Sequence, residues 1–243
     1  MYKKTLRYLR DQLYPAHLIT IFVADEEQAE AYRRATPELL YGQIVVGVKG
    51  LAEQRKFISD YYPEDALIVQ MDDDISGLVG DKSLQEVVEM AERLLREHRA
   101  ALFSVMPNSD TRRLKSDYTL HLTHAIGSFF VVKNDKRLLP TGTEMEDYER
   151  SILAFKHYGK VIRFRGAGVK TNYGKTSGGL QEEGRFTRIR QGVERVGYAY
   201  PQYCAAIVKN GRPDLRLNWR ASVKEDVDTP HPQYPGRIVP QDN

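Results

Sequence analysis

The chain has 243 residues, of which 41% are apolar and 28% charged, with a net charge of +3. That length can bury a substantial core in one large α/β domain or two small ones, and no apolar run approaches the roughly 20 residues of a membrane-spanning helix. A single cysteine, Cys204, excludes an internal disulfide and a cysteine-rich zinc site; with the mixed charged start Met1-Tyr2-Lys3-Lys4, it sets the expectation of a reducing, cytoplasmic setting without a signal peptide or a membrane partner.

Residues 18–23 are a short, continuous, β-branched run and predict a first buried strand. Residues 25–34 predict a helix with Asp25, Glu26 and Glu27 at its positive end. A second strand follows at 43–48, then a helix at 51–61 ended by Pro63. A third strand at 66–71 runs directly into Asp72-Asp73-Asp74. Residues 83–98 form an amphipathic helix with Leu84, Val87, Val88, Ala91 and Leu94 or Leu95 on one stripe, and 101–106 a fourth strand. This alternation predicts an α/β fold with a mostly parallel central sheet and helices on both faces. Ligands of such sheets bind at the carboxyl ends of the strands, where the triplet sits.

The second half is less regular. Strands are expected at 127–133 and 161–165, and a helix at 143–158 with Thr143 as N-cap and Glu144, Glu146 and Asp147 in its first turns. Residues 166–184 read as a glycine-rich functional loop and 186–196 as a basic helix. Residues 1–220 are expected to form one domain and 221–243 a loosely packed, Pro-rich tail. There is no internal repeat. Residues 151–220 hold 14 Lys and Arg against 4 Asp and Glu, a local balance of +10 that leaves −7 on the rest of the chain. Such asymmetry points to a surface for a polyanion, or else to solvated side chains balancing acids elsewhere.

Three carboxylates at a strand end repel one another unless something positive joins them. A hard divalent cation, Mg²⁺ or Mn²⁺, held by one or two carboxylates and substrate phosphates is the usual solution. Asp72 and Asp74 fall on the same side of an extended chain, as metal ligands would, and Asp73 points the other way, towards a ribose hydroxyl or a basic partner. The alternative is a solvated acidic turn with Asp74 capping a short helix. Glycine motifs of a P-loop or dinucleotide site do not appear, so a diphosphate here needs another holder. Glu146-Asp147 is a second acidic pair: a general base for an acceptor hydroxyl, or acids placed to complement a helix dipole. His121 and His124, three apart near a predicted strand, read as structural histidines, with metal ligands as the alternative. Arg185, Arg188 and Arg190 with Phe186 are candidates for tracking nucleic-acid phosphates while an aromatic ring stacks a base, or for an exposed helix face; Trp219 with Arg216 and Arg220 is similarly open.

An apolar strand ending in an acidic triplet, followed at long range by a Glu-Asp pair opening a helix, resembles the GT-A class of glycosyltransferases. The strings Phe22-Val23-Ala24-Asp25-Glu26-Glu27, Val46-Gly47-Val48-Lys49-Gly50-Leu51-Ala52-Glu53-Gln54-Arg55, Gln70-Met71-Asp72-Asp73-Asp74-Ile75 and Asn172-Tyr173-Gly174-Lys175-Thr176-Ser177-Gly178-Gly179-Leu180-Gln181 resemble the TET/JBP-associated glycosyltransferases of bacteriophages and base-J-making organisms. The resemblance covers residues 20–190. It implies a GT-A-like single domain that moves a hexose, glucose first, from a UDP-sugar to a hydroxymethylated pyrimidine in DNA, 5-hydroxymethylcytosine being the expected base. It implies that Ala24 and Asp25 meet the uracil or ribose, and that Lys49, Gln54 and Arg55 approach the nucleotide or its phosphates. Asp72 and Asp74 would hold the Mn²⁺ or Mg²⁺, Asp73 would lie on the sugar or ribose side, and Asp147 or Glu146 would be the acceptor base. Lys175, Gly178 and Gly179 would close over the diphosphate, and Asn172 would be a further oxygen ligand. Competing readings are a nucleotidyltransferase that makes a sugar nucleotide, though its glycine-rich phosphate loop is missing at 23–26, and a DNA-binding module with a degenerate transferase fold.

Overall fold

The computed structural model describes residues 2–171 and 184–223. A wide helical turn, Tyr2–Leu6, continues into α1 (Arg7–Asp11), and Leu6 and Leu9 go into the core. β1 (Thr20–Val23) and β2 (Gln43–Val46) pair in parallel with Thr20 opposite Gln43, the crossover being α2 (Glu26–Ala35). Asp25 caps α2 by accepting a hydrogen bond from the Gln28 N–H at 2.9 Å. α3 (Leu51–Tyr61) follows β2, and its Tyr61 ring stands edge-on to Phe22 of β1 at 5.3 Å between centroids. These two strands form a small sheet of their own.

The main sheet is built from β3 (Leu67–Met71), β4 (Ile75–Gly80), β5 (Leu102–Met106), β6 (Tyr118–Thr119), β7 (Phe129–Lys133) and β8 (Ile162–Thr171). α4 (Leu84–Glu97) lies between β4 and β5, and α5 (Glu146–Tyr158) between β7 and β8. Beyond come α6 (Arg185–Ala199) and a hairpin of β9 (Cys204–Lys209) and β10 (Arg212–Leu217). The spatial order is β3-β7-β5-β8-β4, with β6 against β8. Only β5 and β8 run parallel; β3–β7, β5–β7, β4–β8 and β6–β8 are antiparallel. The expectation of a mostly parallel central sheet is therefore corrected to a mixed one. The reason lies between β5 and β7, where the chain has only a single 3₁₀ turn and β6. Without a crossover helix, β7 returns antiparallel and slots between β3 and β5.

β3 and β4 occupy opposite ends of this order, yet only Asp72-Asp73-Asp74 joins them. Four residue steps reach at most about 14 Å. Five strands laid flat would separate the outer two by about 19 Å. The sheet must therefore curl, and the triplet straps its two edges together.

Alternation along β7 sends Phe129 and Val131 to one core and Phe130 and Val132 to the other. α4 fills the first with Leu84, Val87, Ala91, Leu94 and Leu95, its start fixed by a capping box between Ser83 and Glu86. α5, α6 and the hairpin fill the second through Ile152, Phe155, Val193, Val196 and Leu215. Helices thus cover both faces, and no helix among the described residues is long and apolar enough to cross a membrane. The expected N-cap Thr143 is also corrected: α5 starts at Glu146 behind Met145, whose backbone is left-handed at φ 63°. β8 runs past 165 to Thr171 because Ala167–Thr171 pairs with β4, taking the first part of the expected loop into the sheet.

Candidate functional site

The triplet is held by its backbone. The Asp72 N–H donates to the Ser128 carbonyl at 2.9 Å, and its own carbonyl accepts from the Thr5 hydroxyl at 2.7 Å. The same hydroxyl oxygen accepts from the Ile75 N–H at 3.1 Å, so the N-terminal turn clasps both ends of the strap. Asp73 is exposed, while Asp72 and Asp74 are half-buried. Burial raises the Asp72 carboxyl above its ordinary pKa; Arg55 opposes this and the neighbouring Asp74 and Asp73 add to it. Asp74 is raised by burial and by Asp73, against Lys4. The charge of Asp73 also reaches α2, where after burial it raises the Tyr32 phenol.

Arg55 is the hub. It leaves α3 as a buried side chain and donates to the Gly127 carbonyl at 2.8 Å, to Gln70 Oε1 at 2.5 Å and to Asp72 Oδ1 at 3.2 Å. Its Nε lies 3.6 Å from Glu146 Oε1, and its guanidinium sits 4.9 Å from the Phe130 ring centroid. Arg150, one helical turn past Glu146, pairs with the same carboxylate and lies 4.1 Å from the same ring. Burial first, and then the charge of Arg55, pushes the Arg150 guanidinium well below its usual pKa. Asp72 of the strand-end triplet and Glu146 of the second acidic pair are thus brought to one guanidinium. Gly127 permits this approach, since a Cβ there would stand 2.8 Å from Glu146 Oε1.

Asp147 points from the first turn of α5 to His124, with Oδ2 2.7 Å from Nε2. The imidazole lies flat on Tyr148 at 4.1 Å between centroids, and Arg163 donates to the His124 carbonyl. Burial works to raise the Asp147 carboxyl, but His124, by charge and hydrogen bond, and the backbone N–H groups of Tyr148 and Gly127 carry it below its ordinary value. The pair is a carboxylate–imidazole unit able to accept a proton and spread the resulting charge over two groups. Sequence reasoning placed His124 among the structural histidines. Its partner lies 23 positions away, and only the fold discloses it. Arg150 had a legible sign, the i,i+4 spacing from Glu146.

The remaining candidates lie around the ends of β1 and β2. The Ala24 N–H donates to Gln28 Oε1 at 3.1 Å, and Asp25 is occupied as the α2 cap. Gln54 accepts from the Val48 N–H at 2.7 Å and donates to the Val23 carbonyl at 3.5 Å, so its amide ties the two strand ends together. Lys49 is exposed beside them. Lys175, Gly178, Gly179 and Asn172 lie outside the described residues. Compared with protein-family models and with curated proteins, the chain matches none.

Asp72 and Asp74 fit a divalent cation by chemistry: both are hard oxygen donors, and a cation would offset the burial and the neighbouring carboxylate charge that raise them. Among the described residues no group of three or more His, Cys, Asp or Glu is arranged to hold a metal. Two carboxylates completed by substrate phosphates and water are nonetheless a sufficient set for Mg²⁺ or Mn²⁺.

Proposed function

We propose that this protein is a metal-dependent glycosyltransferase of GT-A-like architecture. It moves a hexose, glucose first, from a UDP-sugar to a hydroxymethylated pyrimidine in DNA, with 5-hydroxymethylcytosine as the expected base, in the cytoplasm. The observation that carries this reading is Arg55, which contacts both Asp72 of the triplet and Glu146 of the second acidic pair, while Asp147, next to Glu146 on α5, meets His124. Sugar transfer from a nucleotide needs both: negative groups where a cation-bound diphosphate leaves, and a base where a hydroxyl attacks. Asp72 and Asp74 would hold the cation, which supplies charge neutralisation for the departing diphosphate. Arg55 keeps Asp72 in place and joins it to α5. The Asp147–His124 pair takes the proton of the acceptor hydroxyl as its oxygen bonds to the anomeric carbon and the bond to UDP breaks. Lys49, three residues past β2, would approach the nucleotide phosphates.

The test is an Asp72→Asn/Asp74→Asn variant. Wild-type protein should gain thermal stability from UDP with Mn²⁺ over UDP alone, and the variant should not. Incubation with nucleotide sugars and hydroxymethylated DNA, followed by weighing of the digested nucleosides, should show a hexose added by wild type only. Transfer retained in the double variant would remove the triplet from the chemistry, and no transfer by wild type to any such acceptor would overturn the reading.

A further inference from the structure

Trp219 is the chain's only tryptophan, and it stands 58% exposed just past β10. An indole left in water keeps a large apolar face available for a planar partner. Two neighbours fix its orientation: the His121 ring meets it at 6.1 Å and 63°, and the Arg220 guanidinium lies 4.7 Å from its centroid. Arg163 and Arg165 act on the same place, since after burial their charges are what lower the His121 pKa. Arg163 also donates to the His124 carbonyl, so one guanidinium serves both histidines. Three residue steps lead from His121 to His124, a span of at most about 11 Å. The surface continues along β10. Asp214 accepts from the Tyr148 hydroxyl at 3.0 Å, and exposed Arg216 shares its side of the strand. An exposed aromatic ring, several cations and the Asp147–His124 pair therefore lie along one stretch of surface.

We propose that Trp219 and His121 form a stacking platform for a nucleobase of single-stranded DNA, seating a neighbour of the base that reaches Asp147 and His124. Aromatic faces flanked by Arg and Lys are how proteins hold single strands without reading sequence. Exposed Arg216 and Arg220 supply the attraction to phosphate. A base stacked inside a duplex cannot use the platform, so the strand must be single or locally opened. The inference rests on the DNA acceptor of the proposed function and is independent of which sugar is transferred.

Because Trp219 is the only indole beside 15 tyrosines, fluorescence of the full chain excited at the red edge, where tyrosine does not absorb, reports on the platform alone. Titration with a short single-stranded oligonucleotide carrying 5-hydroxymethylcytosine should quench it saturably, and the matched duplex should bind more weakly. Trp219→Ala should weaken binding of the labelled oligonucleotide about ten-fold, and Trp219→Phe should keep most of it, by fluorescence anisotropy. The ring is exposed, so both variants should melt as wild type does. UDP with Mn²⁺ should stabilise wild type and Trp219→Ala equally. Full affinity in Trp219→Ala, single-strand binding without quenching, or no single-strand binding would each overturn the platform. Failure of UDP with Mn²⁺ to stabilise either protein would count against the transferase reading instead, while the DNA titration still judges the platform.

Discussion

Replacing Arg55 with Met keeps most of the side-chain bulk and deletes the charge that joins α3, β3 and α5. Four polar contacts disappear, to Gly127 O, Gln70 Oε1, Asp72 and Glu146. Glu146 is buried, so it is left with Arg150 alone. Breaking a buried ion pair from one side costs about 3–5 kcal/mol. Orphaned acceptors at Gly127 and Gln70 add about 1–3 kcal/mol each where no water replaces the donor. Relief of Arg150 from its like-charged neighbour offsets part of this. With that relief set against the orphaned acceptors, we expect a net loss of about 3–5 kcal/mol. In a chain of this size that lowers Tm by about 6–20 °C, at about 2–4 °C per kcal/mol. Calorimetry or circular-dichroism melts would read it. Adding Glu146→Gln should cost less than the two single changes together, with a coupling of about 1–3 kcal/mol. A Tm for Arg55→Met within about 2 °C of wild type would refute the account of Arg55 as the hub.

Asp147→Asn should slow transfer to hydroxymethylated DNA by about 10²–10⁴-fold while leaving stabilisation by UDP with Mn²⁺ unchanged; normal turnover would take Asp147 out of the reaction. At Asp135, burial opposes ionisation, but hydrogen bonds from Arg137 and Tyr158 outweigh it and hold the carboxyl at about 2. Its folded pKa lies below the unfolded one, so its contribution, roughly 2 kcal/mol, is complete above pH ~4 and lost as pH falls to about 2. Urea unfolding of wild type and Asp135→Asn should differ by that amount at pH 6 and converge towards pH 2, whereas a gap that does not close would rule out the linkage. Burial pushes the Cys204 thiol up to about 12, so a thiol reagent at pH 8 should label it only after denaturation; rapid labelling of native protein would contradict its packing beneath Tyr200 and Val196.

Much of the chain was legible because local chemistry decides local structure. The α4 stripe, the Asp25 cap and the apolar runs of β1, β3 and β5 each follow from residues within one or two turns of one another, and all three strands form where the pattern places them. The β9–β10 hairpin was not among the expected elements, although its Asn210-Gly211 turn, with both residues at positive φ, is a local sign of one. β4 carried less: Ile75–Gly80 contains two glycines and forms a strand because β8 offers it a partner. Sheet direction was beyond local pattern altogether, since an apolar strand reads the same whether its neighbour runs up or down. What the amino-acid order determined by itself was the strands and helices between residues 18 and 106 other than β4, and the placement of three aspartates at a strand end. Tertiary structure alone decided that those aspartates strap the edges of a curled sheet, that Arg55 ties them to Glu146, and that Asp147 meets His124, because each depends on which distant segments share space and not on what stands next in the chain.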